Sequence, residues 1–147
     1  MLIKKDQITP HFRLSEFACS GEVIITPEFV TFVTRVLEPF RIWYDRPINI
    51  NSGYRSIAKN NQVGGVPSSL HLRAMAIDTN LPVDYLKGSP DRQREFFDHV
   101  RSMWFSLCKT AGGYGQICWY DTYMHLGFSW EREYFEDKRR GKKEWIM

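Results

Sequence analysis

The sequence predicts an α+β domain in which a small, largely antiparallel sheet has helices packed outside it. Three observations lead there. A chain of 147 residues suits a single hydrophobic core. Two long segments carry apolar residues at helical spacing, whereas several short ones alternate with period two. The apolar content, with 15% aromatic residues, is rich enough to fill that core and excludes a disordered chain.

Taken in order, His11 to Phe17 reads as an extended segment followed by a short helix. Thr26 offers an N-cap and Pro27 a first helical residue. Phe29, Val33, Val36, Leu37 and Phe40 then mark an amphipathic helix over 27–44, with Pro39 disturbing its last turn. After Pro47, Ile48-Asn49-Ile50-Asn51 alternates like a strand and runs into Ser52-Gly53-Tyr54-Arg55-Ser56. Asn60 to Ser69, with Gly64, Gly65 and Pro67, reads as a loop, and Ala74 to Asp78 as a strand. Ser89-Pro90 opens a second helix over 90–109 carrying Phe96, Phe97, Val100, Trp104 and Leu107, which Gly112-Gly113 ends. Strands near 115–120 and 123–128 complete a domain spanning 1–128. Residues 129–147, with Lys138-Arg139-Arg140 and Lys142-Lys143, read as a charged C-terminal extension, either a solvated helix or a frayed end.

Several functions are disfavoured. A net charge of +3, without a basic face interleaved with aromatics, does not suit a nucleic-acid binder. Cys19, Cys108 and Cys118 are odd in number and contain no C-x-x-C pair, so they read as small buried hydrophobes, not as a disulfide framework or a thiolate zinc site. The N-terminus lacks the apolar core of a signal peptide, and no stretch is long enough to span a membrane. The expectation is a monomer made in the cytoplasm.

Four histidines are present. His99 lies mid-helix among charges and reads as structural, and His11 has no partner in sight. His71 and Asp78 are different. On a strand, Ala74, Ala76 and Asp78 share one face, and the alanines clear space beside the carboxylate. His71 sits seven residues upstream at the end of a Gly/Pro/Ser loop. Near the other end, Met124, Leu126 and Phe128 form a core face, which turns Tyr123, His125 and Gly127 the other way. Two imidazoles and one carboxylate suit zinc and leave a fourth position open. Pattern alone leaves the group between a metal site and satisfied polar residues.

Ser69-Leu70-His71-Leu72-Arg73-Ala74-Met75-Ala76-Ile77-Asp78 resembles the S-x-H-x-x-G-x-A-x-D signature of the zinc D-alanyl-D-alanine carboxypeptidase family. That family includes bacterial and phage peptidoglycan peptidases and shares its zinc fold with the hedgehog signalling domain. Asn51 to Ser56 is similar to the family segment whose arginine contacts substrate, and Tyr120 to His125 to the segment bearing the third ligand. Phe12 to Phe17 resembles the opening of small single-domain members. The resemblance implies a Zn2+ ion on His71, Asp78 and His125 and a peptidoglycan stem peptide as substrate. It also implies action on the bacterial cell wall, as in a phage endolysin. Arg55 would then hold a substrate carboxylate or the developing oxyanion, with Ser69 and Tyr54 as further substrate-binding candidates. Two departures stand out. Ala74 replaces the signature glycine, and Thr122 occupies the position, three before the last histidine, where many members carry a catalytic carboxylate. Asp121, one residue earlier, is then the candidate base. The competing expectation is a zinc-containing module that binds wall or protein without catalysis.

Overall fold

The structure is a computed structural model that describes residues 6–141. Its frame follows from where alternation gives way to helical spacing. A small antiparallel pair, β1 (Gln7–Thr9) and β2 (Phe12–Arg13), leads into a 3-10 turn, Leu14–Phe17. One continuous helical rod follows, made of α1 (Pro27–Thr31), a π-helical stretch (Phe32–Leu37) and α2 (Glu38–Tyr44). Next come β3 (Ile50–Ser52), α3 (Ile57–Gln62), a second 3-10 turn (Leu70–Arg73) and β4 (Ala76–Asn80). The chain continues through α4 (Val83–Leu86), α5 (Pro90–Thr110), β5 (Tyr114–Trp119), β6 (Tyr123–Ser129) and β7 (Tyr134–Asp137). Five strands form one sheet in the order β3-β4-β6-β5-β7, antiparallel throughout except for the parallel β5–β7 pair. The mostly antiparallel α+β reading stands.

Local signals explain the helices. The Thr26 hydroxyl accepts from the Phe29 amide, and the Ser89 hydroxyl from the Arg92 amide, each just before a proline at the first helical position. The disturbance expected from Pro39 lies one turn earlier than predicted. Pro39 has no N–H to give the Arg35 carbonyl and its ring crowds that turn. The rod widens there, and the Glu38 amide reaches back five residues to Val33.

The rod and α5 pack on one face of the sheet. Phe32, Phe40, Trp104 and Phe128 are all buried, with the Phe40 and Trp104 rings edge to face at 5.1 Å. Trp104 also donates its indole N–H to the Gly127 carbonyl at 2.9 Å, which ties α5 to β6. Because this face is filled, polar residues at alternate positions of β4 and β6 are presented on the other.

Five expectations need correction. The reading of 60–69 as loop misses α3, which ends at Gln62. The strand predicted from Ala74 begins at Ala76; Ala74 caps the 3-10 turn in a left-handed conformation (φ 55°) and does not share the Asp78 face. His11 does have a partner, since its ring and its amide both bond the Glu38 carboxylate, pinning the N-terminal strands to the helical rod. Of the three cysteines, all free, only Cys108 is buried. Finally, the sheet runs past residue 128. β7 adds to β5, and Phe135 packs on the Phe97 ring at 5.3 Å, with the Arg101 guanidinium 4.9 Å from its centre. Charged neighbours hid this short strand in the sequence. Lys142 and Lys143 lie outside the described residues.

Candidate metal centre

His71 is placed by its backbone neighbours. The Ser69 hydroxyl caps the 3-10 turn by accepting the His71 amide at 3.2 Å, so Ser69 braces the turn that carries the imidazole. Ala74 then reverses the chain into β4. The Arg55 amide donates to the His71 carbonyl at 2.8 Å and the Tyr54 amide to the Phe17 carbonyl, which stitches the exit of β3 to both 3-10 turns. The imidazole is buried, and its Nδ1–H donates to the Gly53 carbonyl at 2.7 Å. Gly53 is required here for space: a Cβ would lie 2.8 Å from the Phe17 Cα.

Asp78 and His125 face each other across the antiparallel β4–β6 pair. Sheet register therefore sets their approach, and His71 bends over them. The three donor atoms form a tight triangle. His71 Nε2 is 3.2 Å from Asp78 Oδ1 and 3.2 Å from His125 Nδ1, and His125 Nδ1 is 2.9 Å from Asp78 Oδ1. Ligands of a tetrahedral zinc ion at bond lengths of about 2.0–2.1 Å lie about 3.3 Å apart, so the triangle is close to one face of that tetrahedron.

The protons tell the same story. A carbonyl only accepts, so His71 Nδ1 carries its hydrogen toward Gly53 and leaves the Nε2 lone pair facing the group. His125 Nε2 lies 2.6 Å from the Gln116 amide oxygen, and a proton donated to that oxygen leaves the Nδ1 lone pair free. Two lone pairs and a carboxylate thus converge on one point. That arrangement is repulsive by itself and is satisfied by a cation. Among the described residues this His-Asp-His set forms a group able to hold a metal, and its chemistry fits a divalent ion such as zinc.

Electrostatics agree. Burial alone would raise the Asp78 carboxyl, but in the metal-free protein, where a proton can take a cation's place between the groups, the attraction of His125 and His71 overcomes that and holds it well below the usual carboxylate range. Burial also depresses the His125 imidazole despite the pull of Asp78, which favours the neutral form that ligates.

Arg55 stands beside this group. Its guanidinium reaches the second Asp78 oxygen at 3.6 Å and is steadied by the Asn60 side-chain oxygen at 3.1 Å and Ser52 Oγ at 3.4 Å. Asn60 is itself buried on α3 and donates to the Val66 carbonyl, so the helix missed in the sequence is what holds the arginine. Tyr54 packs against the hydrophobic core instead of standing free in the cleft. Asp121 is not brought to the triangle. Its carboxylate lies in the β5–β6 turn and accepts the backbone amides of Arg140 at 3.0 Å and Gly141 at 3.3 Å. Tyr123, on the His125 face, stacks on Tyr120 with ring centres 4.1 Å apart.

The sequence reading missed Gln116 and the Gly53 carbonyl as partners of the two imidazoles. Gln116 was findable: in Tyr114 to Trp119 the alternate residues Ile117 and Trp119 are core, which turns Gln116 and Cys118 to the His125 face. A backbone carbonyl leaves no such trace.

No curated protein matches the chain. The family model described as Peptidase M15 matches residues 10–89, more than half of the chain, including His71, Asp78, Arg55 and Ser69, while His125 lies beyond it. With that match over more than half of its length, the chain belongs to the Peptidase M15 family, whose members hydrolyse peptide bonds.

Proposed function

We propose that this chain is a zinc peptidase acting on peptidoglycan stem peptides in the bacterial cell wall, as a D-alanyl-D-alanine carboxypeptidase or a related endopeptidase. The observation that carries this reading is the convergence of two lone pairs and one carboxylate beside the Arg55 guanidinium. His71, Asp78 and His125 would hold the ion. Zinc, when bound, polarises a carbonyl and makes water acidic enough to be activated near neutral pH.

The chain's own residues supply the rest. Arg55, a fixed cation with a forked donor array, binds a substrate carboxylate or the oxygen on which negative charge develops. Ser69 keeps His71 in place through its cap, and Tyr54 contributes through the packed wall behind Arg55. Asp121 is the proton carrier in this reading. To take a proton from the attacking water and return it to the leaving amine, its carboxylate must exchange the Arg140 and Gly141 amides for the water.

That same bonding favours a second reading, a zinc-containing module that binds wall or protein without cutting. Digestion of purified peptidoglycan with zinc-loaded protein, followed by mass spectrometry of the stem peptides, decides between them. New amine and carboxyl termini on the stem peptide support the peptidase and identify the bond. Intact stem peptides at full zinc occupancy leave the binding module.

A further inference from the structure

We infer that Gln116 is a positioning residue for the metal: its amide oxygen selects the His125 tautomer that leaves Nδ1 free to ligate. The inference rests on the metal-binding reading of the triangle and goes beyond it.

Gln116 lies on β5 opposite Gly127 of β6, two cross-strand pairs away from the Cys118–His125 pair and on the same face of the sheet. Its side chain must therefore cross diagonally to reach the imidazole, and it does so at 2.6 Å. Gly127 makes the path. A Cβ there would lie 2.9 Å from the Gln116 amide oxygen and 3.3 Å from its Cβ, besides meeting Leu70 at 2.8 Å. The glycine beside His125 thus admits a side-chain acceptor to the ring, a more specific use than leaving room for substrate.

The chemistry of an amide makes this contact a choice. With the oxygen toward the ring, His125 carries its proton on Nε2 and offers Nδ1 to the ion. With the NH2 toward the ring, the proton would sit on Nδ1, 2.9 Å from Asp78 and in the way of the metal. His71 has no such freedom because its partner is a carbonyl. Gln116 is also neutral, so it orients the ring without adding to the charge that Asp78 already supplies. Outer partners of ligating histidines commonly contribute about 10- to 100-fold to metal affinity.

The test uses Gln116→Ala and Gln116→Glu in the full chain, with zinc affinity measured by chelator competition and the His125 tautomer read from long-range 15N–1H correlations. The parent with zinc is expected to show Nδ1 ligation and an Nε2-bound proton. Gln116→Ala is expected to bind zinc about 10- to 100-fold more weakly and, without metal, to lose the single tautomer. Gln116→Glu, which keeps the acceptor in place, is expected to restore both. Unchanged zinc affinity and an unchanged tautomer in Gln116→Ala overturn the inference while leaving the metal site intact. A loss of affinity that Gln116→Glu does not rescue also overturns it, because shape and not the acceptor would then matter. A parent that binds no zinc overturns the metal reading itself, and is recognised by failing before any variant is made.

Discussion

The candidate metal centre and the turn that carries Asp121 are built differently. The part holding His71 and Asp78 is buried at His71 and half-buried at Asp78, and the Arg55 amide, the Ser69 hydroxyl, the Gly53 carbonyl and the β4–β6 register fix it from several directions. The segment proposed to carry the proton, with Asp121 and Thr122, is a turn on the surface whose carboxylate is occupied by two backbone amides near the C-terminal end of the described chain. Metal-ligand geometry tolerates little error, so it is placed on rigid elements. A proton carrier can be delivered by a segment that moves, at the cost of partners it must first release.

The largest effect expected is on the candidate metal centre. His71→Ala or His125→Ala removes one of the three proposed ligands and is expected to abolish stoichiometric zinc and activity together. Metal analysis of the purified variants checks this, and full zinc retained in His125→Ala breaks the assignment. Next comes the surface turn. At matched zinc occupancy, Asp121→Asn is expected to keep the fold and lose about 10²- to 10⁴-fold in rate, whereas Thr122→Ala changes little. Parental turnover of wall peptides by Asp121→Asn would leave the turn without a proton to carry.

The acid response of the metal-free protein sharpens the contrast. His125 and Asp78 both titrate below their ordinary values of 6.5 and 3.8 in the folded chain. The unfolded chain therefore binds protons more readily, and stability is lost as pH falls below each ordinary value. Thermal midpoints should drop as pH falls from 7.5 to 5, through the His125 window. The drop should be smaller in His125→Gln, and an equal drop in both would place the sensitivity elsewhere. Ala74→Gly is the smallest effect. Ala74 sits in the left-handed region (φ 55°), so glycine relieves strain that its greater unfolded-state freedom partly cancels. The expected gain is about 1 kcal/mol or less, read from urea unfolding, with zinc affinity unchanged.

Ala74 also shows how far a sequence can be read. The departure from the signature glycine was visible, but the reason for a glycine there is a backbone angle that appears only when the turn and β4 are joined. The convergence of His71, Asp78 and His125 was legible because the motif spaces the first two and period-two alternation assigns faces, so Met124, Leu126 and Phe128 left His125 only one side to occupy. The caps at Thr26 and Ser89 were legible because they depend on residues within three positions of one another.

The sequence by itself thus determined the two long helical segments, the faces of β6 and the candidate set His71, Asp78 and His125, because each is encoded in local spacing or in a continuous motif. Tertiary structure decided the rest. It paired Gln116 with His125, seated His71 on the Gly53 carbonyl, drew β7 into the sheet and turned Asp121 toward residues 140 and 141. Apart from the nine-residue step from Gln116 to His125, these contacts join positions about 18 to 20 residues apart, and all of them depend on register or on backbone groups that every residue carries alike. Side-chain identity records which face a residue prefers, but the partner it meets there is chosen only when the strands align.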